Sequence, residues 1–222
     1  MKDRYPFRSG NSVTGTSVSR LQRMQGFTLL ETVVVVMVFT IVSAITFVNL
    51  QPMMRTTRVT SAYNLTLMTM RRARQRAVDE RKTYVVDFVA PQTIRLSRQD
   101  GGVPAPPPVL VETYTLPYDM QFRNEPGIPA IATQTPDGFG VGAFAIDFDI
   151  NVGGGGSTQI CFRPDGAAYD QLGNMNNGVL YLARPGELYS SRAITLFGLT
   201  GRLRGWRLSK NVAAGTNEWV QQ

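Results

Sequence analysis

Asp147 and Asp149 alternate around Phe148, so on an extended strand their carboxylates share one face. Paired carboxylates can hold calcium or exchange protons with a substrate. No third acidic residue stands at a fitting spacing, and a solvated strand face explains the pair more simply. The other ingredients of catalysis are missing. The sequence has no His, which removes the Ser-His-Asp and Cys-His nucleophile pairs, the His-Glu-x-x-His zinc site and an imidazole base. Its single cysteine, Cys161, cannot form an intrachain disulfide or a thiolate zinc cage, and between Ile160 and Phe162 it reads as a small buried apolar residue. Gly153 to Gly156 lack the Gly-Lys-Ser/Thr that completes a phosphate loop, and Gly138, Gly140 and Gly142 do not stand between a strand and a helix. These residue types predict a protein that is not an enzyme and uses no metal or cofactor.

A second chemistry is electrostatic. Arg202, Arg204, Arg207 and Lys210 crowd the carboxyl end. On an extended strand Arg202 and Arg204 point to one face, with Trp206 and Lys210 in phase if Gly205 does not bulge. Guanidinium groups grip phosphates in fork geometry, and an aromatic ring beside them can stack on an exposed base. Three neutralised phosphates would give a log-affinity slope of about −2.7 against log salt on duplex DNA. A basic edge strand also resists edge-to-edge aggregation, which explains the same residues without DNA.

A third is the isolated carboxylate of Glu31. It heads 23 residues without a charge, Thr32 to Met54, rich in Val, Ile, Phe and Met. That run is long enough to cross the roughly 30 Å of bilayer hydrocarbon. A carboxylate carried toward the bilayer centre costs about 2.5–3.5 kcal/mol on insertion scales and normally has a partner. Alternatively, Glu31 stays in the headgroup layer, favoured by the positive end of the helix dipole.

These groups need elements to position them. Residues 1–26 carry five bases against Asp3 alone and show no helical or strand period, so they read as a removable basic leader. Val42-Ser43-Ala44 imitates a signal-peptidase site but lies inside the apolar run, with more apolar sequence after it. The basic leader predicts a cytoplasmic amino terminus and an exported body. Within the run Thr40, Ser43, Thr46 and Asn49 recur every three residues, a stripe suited to close helix packing in lipid or simply tolerated there. Pro52 predicts a kink near the exported side.

Beyond it, Val59, Tyr63, Leu67, Met70, Ala73 and Ala77 recur at three and four residues, so the helix continues. From Thr28 to Arg81 it would measure about 80 Å at 1.5 Å per residue. Its 55–82 half carries eight bases against Asp79 and Glu80; the mutually repelling Arg71, Arg72, Arg74 and Arg76 would stabilise an anionic contact, while a soluble outer face or a lipid-headgroup contact explains them more simply. From Thr83 the period changes. Runs at 84–89, 93–96, 109–114, 143–148, 159–162, 179–182 and 193–197 are short, β-branched or aromatic, and bounded by Gly, Pro or Asn. Pro104 to Pro108 predict a stiff extended loop, with an adaptor-binding Pro-x-x-Pro as the less economical reading. The expected fold is α+β: a long amino-terminal helix, membrane-spanning in its first half, packed on an antiparallel β-sheet domain.

Gly26-Phe27-Thr28-Leu29-Leu30-Glu31, preceded by Arg20 and Arg23 and followed by the apolar run, closely resembles the class III signal of type IV pilins and type II secretion pseudopilins. The resemblance implies cleavage by a prepilin peptidase after Gly26 and methylation of Phe27. It implies that Glu31, then the fifth mature residue, meets the amino-terminal amine of a neighbouring subunit during assembly. The Ala- and Arg-rich stretch Met70 to Val78, with Phe162-Arg163-Pro164-Asp165-Gly166 and Gly201-Arg202-Leu203-Arg204, resembles the minor pseudopilins of the GspH/FimT type more loosely. In FimT-like proteins of DNA uptake, such a Gly-Arg-x-Arg element contacts DNA.

The resemblance thus implies a pilin-like fold with a leader (1–26), a membrane and assembly helix (27–54), its amphipathic continuation (55–82) and an exported β domain (83–222). The expected partners are other pilin or pseudopilin subunits, the prepilin peptidase, an inner-membrane assembly platform, lipid and, in the alternative reading, DNA. The formal charge of +7 is an average over unlike parts: +4 in the leader, −1 at Glu31, +6 in 55–82, −5 in 83–200 and +3 in 201–222. Only the terminal strand suggests nucleic acid.

Overall fold

The computed structural model describes residues 27–101, 107–117, 119–140, 143–150, 156–170 and 172–222, and no side chain between 48 and 52. The leader, the Pro-rich loop around Pro104, Gly142, Gly153 to Gly155 and the kink expected at Pro52 therefore lie outside the described parts. The chain divides into two units, Met1–Val48 and Asn49–Gln222.

In the first unit the described residues are the start of α1, which runs Leu29–Glu80 over 52 residues. Leu29–Phe47 is long and apolar enough to cross a membrane, and none of it is buried by protein. Val33, Phe39, Val42 and Phe47 are all exposed, so apolar side chains look outward on every side. Such a surface needs lipid or other helices to cover it. The hydroxyls of Thr40 and Thr46 donate to the carbonyls of Val36 (2.8 Å) and Val42 (2.9 Å) in their own helix. These hydroxyls are thus satisfied within the helix.

Among the described residues of the second unit the rest of α1 is followed by eleven strands, β1 (Thr83–Val89), β2 (Thr93–Gln99), β3 (Val109–Thr115), β4 (Gln121–Phe122), β5 (Ile146–Asp147), β6 (Gln159–Phe162), β7 (Ala168–Tyr169), β8 (Gly178–Arg184), β9 (Glu187–Phe197), β10 (Arg202–Asn211) and β11 (Thr216–Gln221). The fold is α+β, as the periodicity predicts. The strands divide between two sheets rather than forming one: β3-β2-β1-β6-β7 and β11-β10-β9-β8-β4, with β5 also on β8. The pairings are antiparallel, and β9 and β10 run in unbroken register from Arg202 opposite Phe197 to Arg207 opposite Arg192.

Helix and sheets meet in one core. Val59, Tyr63, Leu67, Met70, Ala73 and Ala77 of α1 are buried in one cluster with Val86, Phe88, Ile94, Leu96, Leu180, Leu182, Ile194 and Leu196. This is the stripe expected from the spacing. Each large side chain removed from water there stabilises the fold by about 1.5–3 kcal/mol. A smaller cluster of Val179, Tyr181 and Ala193 packs with Phe139, Trp206 and Trp219 on the other face of the second sheet. β8 is buried on both faces from Gly178 to Ala183, which is why it reads as an uninterrupted apolar run.

Three expectations need correction. The run 143–148 is strand only at Ile146–Asp147. Asp147 and Asp149 do not form a solvated strand face: the Asp149 backbone N–H donates to Asp147 Oδ1 at 3.3 Å, and Asp147 is half-buried. Burial first, then the neighbouring Asp149 carboxyl, pushes the Asp147 carboxyl up to about 6. The bases of 55–82 are not simply an outer face either. Arg55 pairs with Glu187 (3.6 Å), Arg58 with Asp119 (3.4 Å), Arg76 with Glu112 (2.7 Å) and Lys82 with Asp100 (2.8 Å). Arg74 donates from Nε to the Gly166 carbonyl (2.9 Å) and from Nη2 to that of Thr200 (3.0 Å). They fasten the helix to the acidic body, each exposed pair contributing at most about 1 kcal/mol.

Candidate functional site

Two places carry the groups singled out in the sequence. The first is the start of α1. Thr28 takes the position before the helix, and its Oγ1 accepts the Glu31 backbone N–H at 3.2 Å. The Thr28 carbonyl accepts the Thr32 N–H at 3.1 Å, the first helical bond. Thr-x-x-Glu is the pattern of a capping box, a local signal that reading for membrane insertion overlooked. It puts Glu31 in the first turn, where the helix dipole favours a carboxylate. The side chain is exposed, and among the described residues no cation pairs with it. Phe27 is exposed beside it, and Gly26 lies outside the described residues.

The second place is the hairpin of β9 and β10. Gly201 makes its turn with φ of +59°, and a Cβ there would collide with the Gly166 carbonyl. A tight crossing of two turns thus requires the glycine of Gly-Arg-x-Arg. Because Gly205 keeps register, Arg202, Arg204, Trp206 and Lys210 do share a face, and Arg207 lies on the opposite one. Arg202, Arg207 and Lys210 are exposed.

Arg204 is not the free fork expected. Its Nη1 donates to Asp137 Oδ1 at 2.5 Å, and its guanidinium stands 5.1 Å from the centre of the Phe197 ring. The Asp137 carboxylate is 6% exposed and also accepts the Thr195 hydroxyl at 2.5 Å. Thr195 Oγ1 in turn accepts Trp206 Nε1 at 3.1 Å. The polar atoms of Arg204 and Trp206 are therefore joined in one hydrogen-bonded chain rather than left free for a phosphate.

The other face of β10 turns toward α1. Gly205 lies so close to Tyr63 that an added Cβ would fall inside the phenol hydroxyl. Beside this contact, Arg71, Arg192, Arg202 and Arg204 line a groove of about 470 Å³ that also touches Tyr63 and Gln222. Arg71 and Arg202, with Arg74 and Thr200, line a neighbouring groove of about 570 Å³. Among the described residues no Asp or Glu lines either one.

Arg192 is buried and satisfied by carbonyls alone, donating from Nη1 to Tyr189 (3.3 Å), Ser190 (3.4 Å) and Ser191 (3.0 Å). Burial first, then Arg207 directly opposite it, pulls its guanidinium down to about 10, against the attraction of Tyr63. Burial raises the Tyr63 phenol, while Arg71 and Arg192 pull it back. The positive potential thus gathers between helix and hairpin. Arg192 was missed as a site residue, and Arg71 was noted only within the basic run of the helix, because both stand far from the Gly-Arg-x-Arg element in sequence.

Comparison with known families gives one match: residues 21–47 fit the model of the prokaryotic N-terminal methylation motif. No curated protein and no solved structure matches the chain significantly.

Proposed function

With that motif as the premise, we propose that the chain is a minor pilin or pseudopilin, a structural subunit of a type IV pilus or a type II secretion pseudopilus. The motif supports a membrane-anchored, pilin-type protein that associates with other subunits and is processed by prepilin peptidase. The observation that carries the reading is coincidence in one segment. The matched residues include Gly26, Phe27 and Glu31, and the helix that follows leaves its apolar surface uncovered by protein.

In this reading residues 1–26 are removed and Phe27 is methylated. Residues 27–54 hold the chain in the inner membrane and later in the filament core, 55–82 carry the helix into the exported side, and 83–222 form the periplasmic body. Cleavage creates an ammonium group beside an apolar helix, and Glu31 of a neighbouring subunit neutralises it. Two desolvated charges become tolerable together, whereas removing one strands the other at about 3–5 kcal/mol. The protein works by assembly, with energy supplied through a platform protein and its ATPase, and not by catalysis. The Arg-rich end of α1 and the Gly201 turn favour the GspH/FimT type within this class.

Mass spectrometry of the protein purified from membranes tests the proposal. A mature chain beginning with methylated Phe27 is expected, and an intact leader refutes it.

A second reading, a DNA-capturing subunit, draws support from the acid-free grooves. The favoured contacts become Arg71 and Arg202, which line both grooves, with Arg207 and Lys210 outside them and Arg204, at the first groove, held by Asp137. Replacing Arg71 and Arg202 by Gln should lower the log–log salt slope of DNA binding by about 0.9 for each phosphate that is no longer neutralised. No binding by the parent protein at low salt rules out this role.

A further inference from the structure

A cavity of about 460 Å³ opens on the face of the second sheet turned away from α1, between β10, β11 and the segment around Asp137. Sites for small ligands commonly measure about 300–1,000 Å³. Both tryptophans of the chain line it. Trp219 stands opposite Leu208, which shares a face with Trp206, so the two indoles are diagonal neighbours on one sheet face. Their polar edges are turned inward: Trp206 Nε1 donates to Thr195, and Trp219 Nε1 is buried while its ring packs on Tyr181 at 5.7 Å. The indole surface left to the cavity is carbon.

Around that carbon surface the lining supplies neutral hydrogen-bonding groups. Thr133, Gln134 and Thr216 are exposed and, among the described residues, form no side-chain hydrogen bond. The Asp137 carboxylate at the wall is neutralised by Arg204. Exposed Glu218 adds a negative charge, and no cationic side chain is among the lining residues. A phosphodiester or carboxylate ligand would meet repulsion here. Apolar ring surface flanked by hydroxyls and an amide suits a ligand with one apolar face and a rim of hydroxyl groups.

We propose that this cavity binds a neutral pyranose unit of a polysaccharide, its C–H face on the indoles and its hydroxyls on Gln134, Thr133 and Thr216. Its lining shares no residue with that of the arginine grooves.

Because both of the chain's two tryptophans line the cavity, their fluorescence, excited beyond the tyrosine absorption band, reports on this site. The full chain, in micelles of a detergent without a sugar headgroup, is titrated with maltotetraose, cellotetraose and chitotetraose. A saturable change with at least one of them is expected. Gln134→Ala and Thr216→Ala, both at exposed positions, should each weaken it about threefold or more, the effect of one missing hydrogen bond, with unchanged far-ultraviolet circular dichroism. The proposal is overturned if none of the three sugars gives saturation, if the double variant binds like the parent, or if choline or a thymidine oligonucleotide binds more tightly than every sugar.

Discussion

Replacing Asp137 by Asn probes a charged pair whose carboxylate the fold has largely taken from the solvent. The position has φ of +53°, a left-handed conformation that Asn adopts readily, so the substitution leaves the backbone unstrained. What it removes is the negative charge between Arg204 Nη1 and the Thr195 hydroxyl, each 2.5 Å away. Breaking one partner of a fully buried ion pair costs about 3–5 kcal/mol. The carboxylate is 6% exposed but the Arg204 side chain is 27% exposed, so water recovers part of the loss and about 2 kcal/mol should remain.

Urea unfolding of the full chain in micelles, followed by tryptophan fluorescence, reads this directly, since Trp206 bonds to Thr195 in the same network. At a slope of about 2 kcal/mol per molar urea, the midpoint should fall by about 1 M. Arg204→Gln should cost a similar amount, and the double variant less than the sum by about 1–2 kcal/mol. A midpoint that moves by less than about 0.2 M, or strictly additive losses, would refute the view that Asp137 holds Arg204.

Other perturbations follow from the same geometry. The Asp147 carboxyl is raised from 3.8 to about 6, so between those values the folded state holds more protons than the unfolded one. Its contribution is fully favourable below pH 3.8 and is lost as pH rises through about 6. The whole difference would be worth about 3 kcal/mol, but the group is half-buried and screening leaves about 1. Asp147→Asn should therefore stabilise the protein by about 1 kcal/mol at about pH 7.5 and have no effect at about pH 3.5; equal effects at both, seen in urea midpoints, would contradict this. Gly205→Ala forces a methyl group into the Tyr63 hydroxyl and should cost about 1–3 kcal/mol, partly restored by Tyr63→Phe in the same thermal-melt series. Glu31→Val should leave membrane insertion intact and sharply reduce the amount of subunit in sheared filaments; normal incorporation counts against the proposed pairing with Phe27.

Much of the architecture was legible because it is written locally. An uncharged run needs no partner to be recognised, and a stripe repeating at three and four residues from Val59 to Ala77 names its own buried face. The strands that escaped notice are short or mixed. β4 and β7 have two residues each, too few to show a period, β11 is mostly polar, and β9 begins at polar Glu187 well before the apolar run that revealed it. The division into two sheets was not legible, because β1 pairs with β6 across a long stretch of intervening chain. Nothing local in either strand specifies that pairing.

The candidate site divides in the same way. By itself the sequence determined the apolar helix, its capped carboxylate and the alternation that puts Arg202 and Arg204 on one face, since each depends only on neighbours along the chain. Pairing with β9 kept Gly205 in register and so brought Trp206 to that face. Tertiary structure alone decided that Arg204 belongs to Asp137, 67 residues away, and that Arg71 stands near Arg202 in an acid-free groove. Identical guanidinium groups acquire different roles according to which carboxylate chain closure brings within reach, and a charge's position in sequence does not record that distance.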